Sequence, residues 1–293
     1  MSERKSYIDG QGAILLIGFS LLLGFNQVVI KVSNGGFQPV FQAGVRSALA
    51  LVFLALWMWW RAIPLMPRRV NFLPGLFVGL LFSFEFICLF VALDYTSIAR
   101  SSIMFYSMPV WLAIAAHFVL PNERLTALRS LGLLLAMVGM IWSLGSGLFI
   151  EGGSITGDLL ALLSAFGWGA IALTVRLSSL SRERAETQLF IQLLISAPVL
   201  LIASLWFGDW LREPTYISYA ALLFQALVIA FFAFLLWFWI MTIYPASGVA
   251  SFSFLSPIFS VALGWLILGE GVSFNLVGAL ACVALGLVLI NRK

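Results

Sequence analysis

The composition of this chain of 293 residues excludes an ordinary soluble protein, because 62% of the residues are hydrophobic and 10% are charged. Soluble domains are about 45–50% apolar and about 25% charged. A lipid bilayer can serve as the solvent for so much apolar surface. The net charge of +4, without a dense basic run, argues against nucleic acid as a partner.

Ten apolar segments follow one another along the chain, each long enough to cross a bilayer as a helix. A helix rises about 1.5 Å per residue through a hydrocarbon core of about 30 Å, so about 20 residues suffice. The predicted transmembrane helices, numbered 1 to 10 in chain order, are 11–31, 39–60, 72–94, 96–120, 126–147, 157–178, 187–208, 216–241, 245–268 and 272–290. The sequence therefore predicts an all-α integral membrane protein.

Lys and Arg residues are distributed unevenly between the two sides of this predicted bundle. With the N-terminus in the cytoplasm, twelve fall on the cytoplasmic side and three, Lys31, Arg100 and Arg212, on the other; Arg46 lies within helix 2. Cytoplasmic loops are enriched in Lys and Arg. We therefore expect a multi-pass protein of the cell (inner) membrane with cytoplasmic N- and C-termini.

The two halves of the chain carry the same landmarks in the same order. These landmarks are Tyr95, Pro109, Trp111 and Glu123 in the first half and Tyr244, Pro257, Trp265 and Glu270 in the second. Upstream of them, the spacing from Gly24 to Lys31 equals the spacing from Gly169 to Arg176. The agreement indicates an internal repeat.

We place the two repeats at 1–150, with helices 1 to 5, and at 151–293, with helices 6 to 10. Because each repeat has an odd number of helices, the second enters the membrane from the opposite side. The predicted fold is therefore a pair of inverted five-helix repeats. In transporters of this plan the substrate site lies at the repeat interface near the bilayer midplane.

Several of these landmarks resemble those of the drug/metabolite transporter superfamily, specifically its ten-helix EamA family. The resemblance rests on GFN at 24–26 with Lys31, on Arg46, and on the paired units PNERLT at 121–126 and GEGVS at 269–273. It implies an alternating-access transporter that mostly exports amino acids or other small metabolites. It also implies a central cavity lined by helices 1–3 and 6–8, with helices 4, 5, 9 and 10 as support.

Two charged residues inside the apolar segments are the sharpest candidates for function. Glu85 lies in the middle of helix 3, where a charge costs at least about 2.5–3.5 kcal/mol. It would be a proton-coupling carboxylate or a partner for a substrate ammonium group, or else a structural acid paired with Arg46. Arg46 would bind a substrate carboxylate, pair with Glu85, or extend its side chain towards the outer surface.

Counting residues from the outer helix ends places several polar side chains at similar depths. At about 1.5 Å per residue, Asn26 and Arg46 lie roughly 8–10 Å deep, and Glu85, Gln225 and Trp168 roughly 14–17 Å deep. Gln42 shares the face of Arg46 one turn away. We therefore predict a substrate-binding site made of Asn26, Gln42, Arg46, Glu85, Trp168 and Gln225. An acid and a base at similar depth suit a zwitterion.

Pro109 and Pro257 occupy equivalent positions in helices 4 and 9. Proline removes a backbone donor and kinks a helix, so these residues are candidate hinges or fixed bends. Small-residue stripes, such as Gly75/Gly79/Ser83, Gly132/Ala136 and Gly278/Cys282/Gly286, allow close helix packing. The last two would alternatively form the surface of a homodimer.

Enzyme and nucleotide-binding motifs such as GxxxxGK[ST], GxSxG and HExxH are absent from the sequence. A single histidine, His117, and two cysteines within apolar runs, Cys88 and Cys282, do not build a metal site. We expect no enzyme activity, no cofactor and no metal, and a small-molecule substrate in a lipid bilayer. The other readings are a membrane scaffold, an intramembrane enzyme and a channel; the inverted repeat argues against a scaffold.

Overall fold

The computed structural model describes residues 5, 7–65, 71–96, 98–120, 123–148, 154–268 and 275–291, and these residues form ten membrane-spanning helices. Helices 1, 2, 3, 5, 6 and 10 are Gly10–Asn34, Pro39–Trp60, Phe72–Tyr95, Ala127–Leu148, Ile155–Leu177 and Asn275–Asn291. Helix 7 is Ala185–Ala203, followed by a 3-10 turn at Ser204–Trp206. The prediction of an all-α bundle of ten spans is confirmed.

Helices 4, 8 and 9 are each built from segments of different winding. Helix 4 consists of Ile98–Phe105 and Met108–Val119. Helix 8 consists of Tyr216–Phe224, a π-helical segment Gln225–Ala233, and Phe234–Ile243. Helix 9 consists of Ala246–Ser251, a 3-10 turn Phe252–Phe254, and Leu255–Leu268.

Seven described helices are individually long and apolar enough to cross a membrane, by length and composition. Shorter apolar stretches, Ala127–Trp142, Ala246–Ser260 and Ala281–Ile290, belong to helices 5, 9 and 10. Because the number of crossings is even, both ends of the chain lie on one side of the membrane, here called the terminal face. The other side is called the opposite face.

Helices 1 to 5 of the first repeat correspond to helices 6 to 10 of the second. The main contacts between helices recur when each helix is replaced by its counterpart in the other repeat. Helix 5 packs on helix 10, and helix 2 on helix 7. Helix 3 packs on helix 6 as helix 8 packs on helix 1, and helix 4 packs on helix 6 as helix 9 packs on helix 1. This exchange is the packing expected of two repeats related by a two-fold axis in the membrane plane.

Two basic side chains at equivalent positions show the inversion in atomic detail. The Lys31 ammonium donates to the carbonyl oxygen of Thr96, the residue that caps the C-terminus of helix 3, at 3.0 Å. The Arg176 guanidinium donates to the carbonyl oxygen of Tyr244, which caps helix 8. Cations are favourable at helix C-termini because of the helix dipole. The first contact lies at the opposite face and the second at the terminal face.

The glycine at position 24 allows helix 1 to approach the broken part of helix 9. A Cβ atom there would lie 2.5 Å from the carbonyl oxygen of Ser256, whereas a Cβ atom at Gly18, also in helix 1, would meet nothing within 4 Å. The Ser260 hydroxyl donates to the Gly24 carbonyl oxygen at 2.7 Å across the same contact. Gly24 is therefore required by packing, not by its own backbone conformation.

We expect Gly24→Ala to lower the melting temperature of the detergent-solubilised protein, because overpacking costs about 1–3 kcal/mol. Gly18→Ala is the matched control: alanine favours a helix by about 1 kcal/mol over glycine and meets no neighbour here. Thermal unfolding followed by fluorescence-detected size exclusion measures both. A Gly24→Ala protein that melts as high as Gly18→Ala would contradict the packing.

The small-residue stripes serve packing within the chain. A Cβ atom at Gly132 would lie 2.7 Å from the carbonyl oxygen of Gly286, and one at Gly286 would lie 2.6 Å from that of Gly132. Helices 5 and 10 thus use these glycines against each other, so the glycines are not free for a dimer contact. A homodimer through some other surface remains a prediction.

Both predicted proline hinges lie next to a break in their helix. The turn at Tyr106–Ser107 ends one segment of helix 4, and Pro109 lies in the first turn of the next. In helix 9 the 3-10 turn Phe252–Phe254 precedes Pro257. A role of Pro109 and Pro257 as hinges in transport stays a prediction. Glu270, the second-half counterpart of Glu123, lies outside the described residues.

Candidate functional site

A central cavity lies between the two halves, bounded by helices 1, 3, 4, 6, 7 and 8. The cavity volume open to a water-sized sphere is about 40 Å³, so the cavity is narrow in this conformation. The polar residues of its lining are Asn26, Gln27, Glu85, Tyr106 and Gln192, and the apolar ones are mainly aromatic. Helices 1–3 and 6–8 were expected to line the cavity, and the structure corrects this expectation for two helices. Helix 4 joins the lining, because its turn brings Tyr106 to the cavity. Helix 2 does not, because phenyl rings of helices 3 and 8 separate it from the cavity.

Glu85 faces this cavity from the middle of helix 3 with a side chain that is only 4% exposed. A Cβ atom added at Gly167 would lie 3.2 Å from the Cβ atom of Glu85, so helix 6 packs closely against helix 3 here. Arg46 interacts with it electrostatically, but no ion pair within 4.0 Å joins the two in the described part of the chain. The carboxyl group is thus buried beside the cavity without a salt-bridge partner.

Arg46 is fully buried, and its guanidinium group lies among phenyl rings. The guanidinium carbon is 4.0 Å from the ring centre of Phe86, 5.0 Å from that of Phe90 and 5.7 Å from that of Phe234. None of its three nitrogen atoms has a hydrogen-bond partner. Cation–π contacts contribute about 2 kcal/mol when desolvated, whereas leaving a buried ion unpaired costs several kcal/mol. The complete burial also rules out the snorkelling alternative in this conformation.

A continuous row of aromatic rings forms one wall of the cavity. Phe19 stacks on Trp237 with ring centres 5.0 Å apart, Trp237 contacts Trp168 at 5.2 Å, and Trp168 stacks on Phe105 at 5.1 Å. These rings come from helices 1, 8, 6 and 4, so both repeats contribute. Aromatic faces attract cations, tryptophan most strongly.

Gln42 and Gln225 lie outside the cavity lining and bond to each other. The Gln42 amide donates to the Gln225 side-chain oxygen at 3.4 Å, and Gln225 donates to the Ser33 hydroxyl at 2.8 Å. Ser33 is near the end of helix 1, so this network lies towards the opposite face. Residue counting had put Gln225 at the depth of Glu85, whereas its hydrogen bond to Ser33 places it near the end of helix 1.

The structure thus brings Asn26, Glu85 and Trp168 together at the cavity and holds Arg46 behind its phenyl wall. Sequence reasoning missed Gln27, Tyr106 and Gln192. The Gln27 amide donates to the Tyr106 hydroxyl at 3.4 Å, which in turn donates to the carbonyl oxygen of Leu23. Gln192 had a usable signal: it follows Gln188 by one turn in an apolar helix, the same spacing as Gln42 and Arg46.

Polar and ionic contacts link the two repeats at both faces of the bundle. At the terminal face Glu123 accepts hydrogen bonds from the backbone of Ala246 and Ser247, at 3.0 and 2.8 Å, and so caps the start of helix 9. At the opposite face Arg212 pairs with Asp94 at 2.9 Å and Arg100 pairs with Asp158. These contacts join the two repeats at both faces of the bundle.

The N-terminus of helix 1 joins these contacts at the terminal face. Asp9 caps helix 1 by accepting from the backbone of Gly12, and it also accepts from the Tyr244 hydroxyl at 2.6 Å. The Lys5 ammonium beside Asp9 holds the pKa of that carboxyl well below its usual range, and the hydrogen bond from Tyr244 acts in the same direction. Asp9 therefore stays ionised at neutral pH.

The chemistry of the described residues gives no sign of a metal centre. No group of three or more His, Cys, Asp or Glu side chains comes together among them. Cys88 and Cys282 are free thiols. His117 accepts a hydrogen bond from the backbone of Leu125 at 3.0 Å and so fixes the end of the connection, just before helix 5.

Comparison with known proteins agrees with this architecture. The EamA-like transporter family matches residues 10–145 and again residues 155–292. The uncharacterized transporters YoaV and YetK of Bacillus subtilis are 24% and 26% identical to the chain, covering 90% and 99% of it and 91% and 88% of their own lengths. An uncharacterized transporter of Archaeoglobus fulgidus is 23% identical, over 95% of this chain and 97% of its own.

A solved crystal structure superposes with a TM-score of 0.79 at 20% identity, covering 96% of this chain and 99% of the other, which shows a common fold. The family match extends over nearly the whole of the described bundle and occurs once in each half. The chain therefore belongs to the EamA-like transporter family and is a multi-pass membrane transporter of small molecules.

Proposed function

We propose that the protein is a secondary transporter that exports small amine-bearing metabolites, with amino acids as the leading substrate class. The observation that carries this proposal is a buried carboxyl group, Glu85, facing an aromatic cavity made by both repeats. A carboxylate among Trp, Tyr and Phe rings favours an organic cation, since the rings and the carboxylate both attract positive charge.

Arg46 supports a substrate that also carries a carboxylate. Its buried guanidinium has five N–H donors with no acceptor, and a bidentate carboxylate fits such a group. The rings of Phe86 and Phe234, which line the cavity, stand between it and the substrate space. A rotation of these rings would let Arg46 bind the carboxylate while Glu85 binds the ammonium group of one zwitterion.

The proposed direction and coupling follow from competition at Glu85. A proton and a substrate ammonium group cannot both occupy the same carboxylate. Protonation from the outside therefore releases the substrate there, and loss of that proton to the cytoplasm allows the next substrate to bind. An inward proton gradient then drives export. This scheme places the protein in the cell (inner) membrane with both termini in the cytoplasm, as the excess of Lys and Arg favours.

A counterflow assay with the purified protein in liposomes tests the substrate class. Liposomes preloaded with one unlabelled compound are diluted into a trace of the same compound in labelled form, and transient accumulation reports exchange. We expect exchange with amino acids that have apolar or aromatic side chains, and none with the matching N-acetyl amino acids, which lack the ammonium group. Equal exchange of the N-acetyl compounds would refute the proposal.

A further inference from the structure

Helix 7 carries a polar stripe that leads from the terminal face to the cavity. The stripe consists of Arg184, the N-cap residue of helix 7, and of Gln188 and Gln192, which are four residues apart and therefore share one helix face. Arg184 lines a surface cleft at the terminal face together with Arg61 and Glu186. Gln192 lines the central cavity into which Glu85 projects. Between them lies Gln188, which is buried.

The amide groups of this stripe are only half satisfied by the protein. The Gln188 nitrogen donates to the carbonyl oxygens of Leu180 and Glu183, both at 3.0 Å, and the Gln192 nitrogen donates to the carbonyl oxygen of Gln188 at 3.0 Å. The side-chain oxygens of Gln188 and Gln192 are buried without a donor. Buried polar atoms of this kind are normally satisfied by a partner or an ordered water molecule. The side-chain oxygens of Gln188 and Gln192 can therefore accept a hydrogen bond from water or from a cation.

The equivalent helix of the first repeat carries a matching stripe. Gln42 and Arg46 lie three and seven residues after Pro39, the first residue of helix 2, and Gln188 and Gln192 lie three and seven residues after Ala185, the first residue of helix 7. Because the repeats are inverted, the helix 2 stripe starts at the opposite face and the helix 7 stripe at the terminal face. An alternating-access transporter needs one polar route to each face.

We propose that the stripe Arg184, Gln188 and Gln192 lines the route by which water, protons and substrate ammonium groups pass between the terminal face and Glu85. This inference rests on the proposed function and adds the path to it. The route is closed here, since Gln188 is 3% and Gln192 1% exposed. It opens when Gln188 leaves the carbonyl oxygens of Leu180 and Glu183.

Few charged or titratable groups lie near Glu85 in the described part of the chain. Arg46 acts on Glu85 from helix 2, Tyr106 lines the same cavity from helix 4, and Cys88 lies one turn away on helix 3. Among the described lining residues, helices 1, 6, 7 and 8 contribute no other ionisable group. Glu85 is thus the group that protons arriving along helix 7 would meet.

Cysteine accessibility tests the route directly. In a background with Cys88→Ala and Cys282→Ala, single replacements Gln188→Cys, Gln192→Cys and Leu189→Cys are reacted with 2-(trimethylammonium)ethyl methanethiosulfonate. The cysteine thiolate forms a disulfide with the reagent and displaces methanesulfinate. Leu189 is the matched control, because it is fully buried on the same helix beside Gln188. The impermeant reagent is added to one face at a time in sealed vesicles.

From the terminal face we expect Gln188→Cys and Gln192→Cys to react at least tenfold faster than Leu189→Cys, and faster than from the opposite face. Equal rates at all three positions, or faster reaction from the opposite face, would overturn the route. Each position is tested separately, so a replacement that prevents folding at one leaves the other to decide. If counterflow of amines fails while this labelling pattern holds, the route stands and the substrate proposal falls.

Discussion

Replacing Glu85 by glutamine is expected to remove the effect of a pH gradient on transport and to weaken amine binding by about 10- to 100-fold. The binding loss follows because a hydrogen bond to a charged group contributes about 1.5–3 kcal/mol, and glutamine keeps the shape of the side chain without its charge. The coupling is lost because glutamine cannot take up and release a proton. Uptake into proteoliposomes with and without an imposed pH gradient measures both effects.

Glu213→Gln is the control for this replacement. Glu213 is an exposed carboxylate in the connection between helices 7 and 8, and its neutralisation changes the net charge by the same amount. We expect this variant to behave as wild type. If Glu85→Gln transports as fast as wild type and responds equally to the pH gradient, Glu85 is not the coupling group and the competition scheme fails.

Replacing Arg46 by methionine is expected to separate recognition of the substrate carboxylate from stability. Because the guanidinium is buried without a hydrogen bond, its removal takes away the cost of burying an unpaired ion. Burying an ion without a hydrogen-bonded partner costs several kcal/mol, more than the about 2 kcal/mol that desolvated cation–π contacts return. The melting temperature should therefore stay level or rise, and thermal unfolding in detergent measures it.

The same Arg46→Met variant should lose selectivity between an amino acid and the amine that lacks its carboxylate. We expect its apparent affinity for the amino acid to fall about 10- to 100-fold, as for the loss of a charge-assisted hydrogen bond. The affinity for the decarboxylated amine should be unchanged. Competition by the two compounds in the counterflow assay measures this difference. Arg124→Met, which removes an exposed arginine from the connection between helices 4 and 5, should leave both affinities as in wild type.

Equal loss of affinity for both compounds in Arg46→Met would show that Arg46 supports the cavity without binding the carboxylate. A large fall in melting temperature would show that the guanidinium has a partner in the membrane-embedded protein. Either outcome would remove the zwitterion from the proposal while leaving Glu85 and the aromatic wall as an amine site.

Apolar run length was sufficient to predict the ten spans, because only a helix satisfies its own backbone over that distance in lipid. The repeated landmarks also located real contacts: Lys31 and Arg176, matched by spacing alone, cap helices 3 and 8 in the same way. Likewise, the prolines at 109 and 257 indicated where helices 4 and 9 break. Each of these features is local, so each leaves a mark in the sequence.

The site depended on information that the sequence does not carry. Depth could be counted along each helix, but the direction of a side chain around the helix axis is fixed by its neighbours. Asn26, Glu85 and Trp168 therefore met at the cavity, whereas Gln42 and Gln225 met each other near Ser33. The π-helical segment that begins at Gln225 changes the direction in which the later side chains of helix 8 point. The uniformly apolar sequence of this segment gives no sign of that change.

The sequence by itself determined that this protein crosses a membrane ten times as two related halves, since bilayer thickness and an odd number of crossings per half impose that outcome. Only the tertiary structure decided which polar side chains share a cavity. It placed Tyr106 and Gln192 inside and enclosed Arg46 within phenyl rings, because packing between helices distant in sequence sets the rotation of each helix. The same packing sets the position of Glu85 at the cavity and of Arg46 behind the phenyl rings.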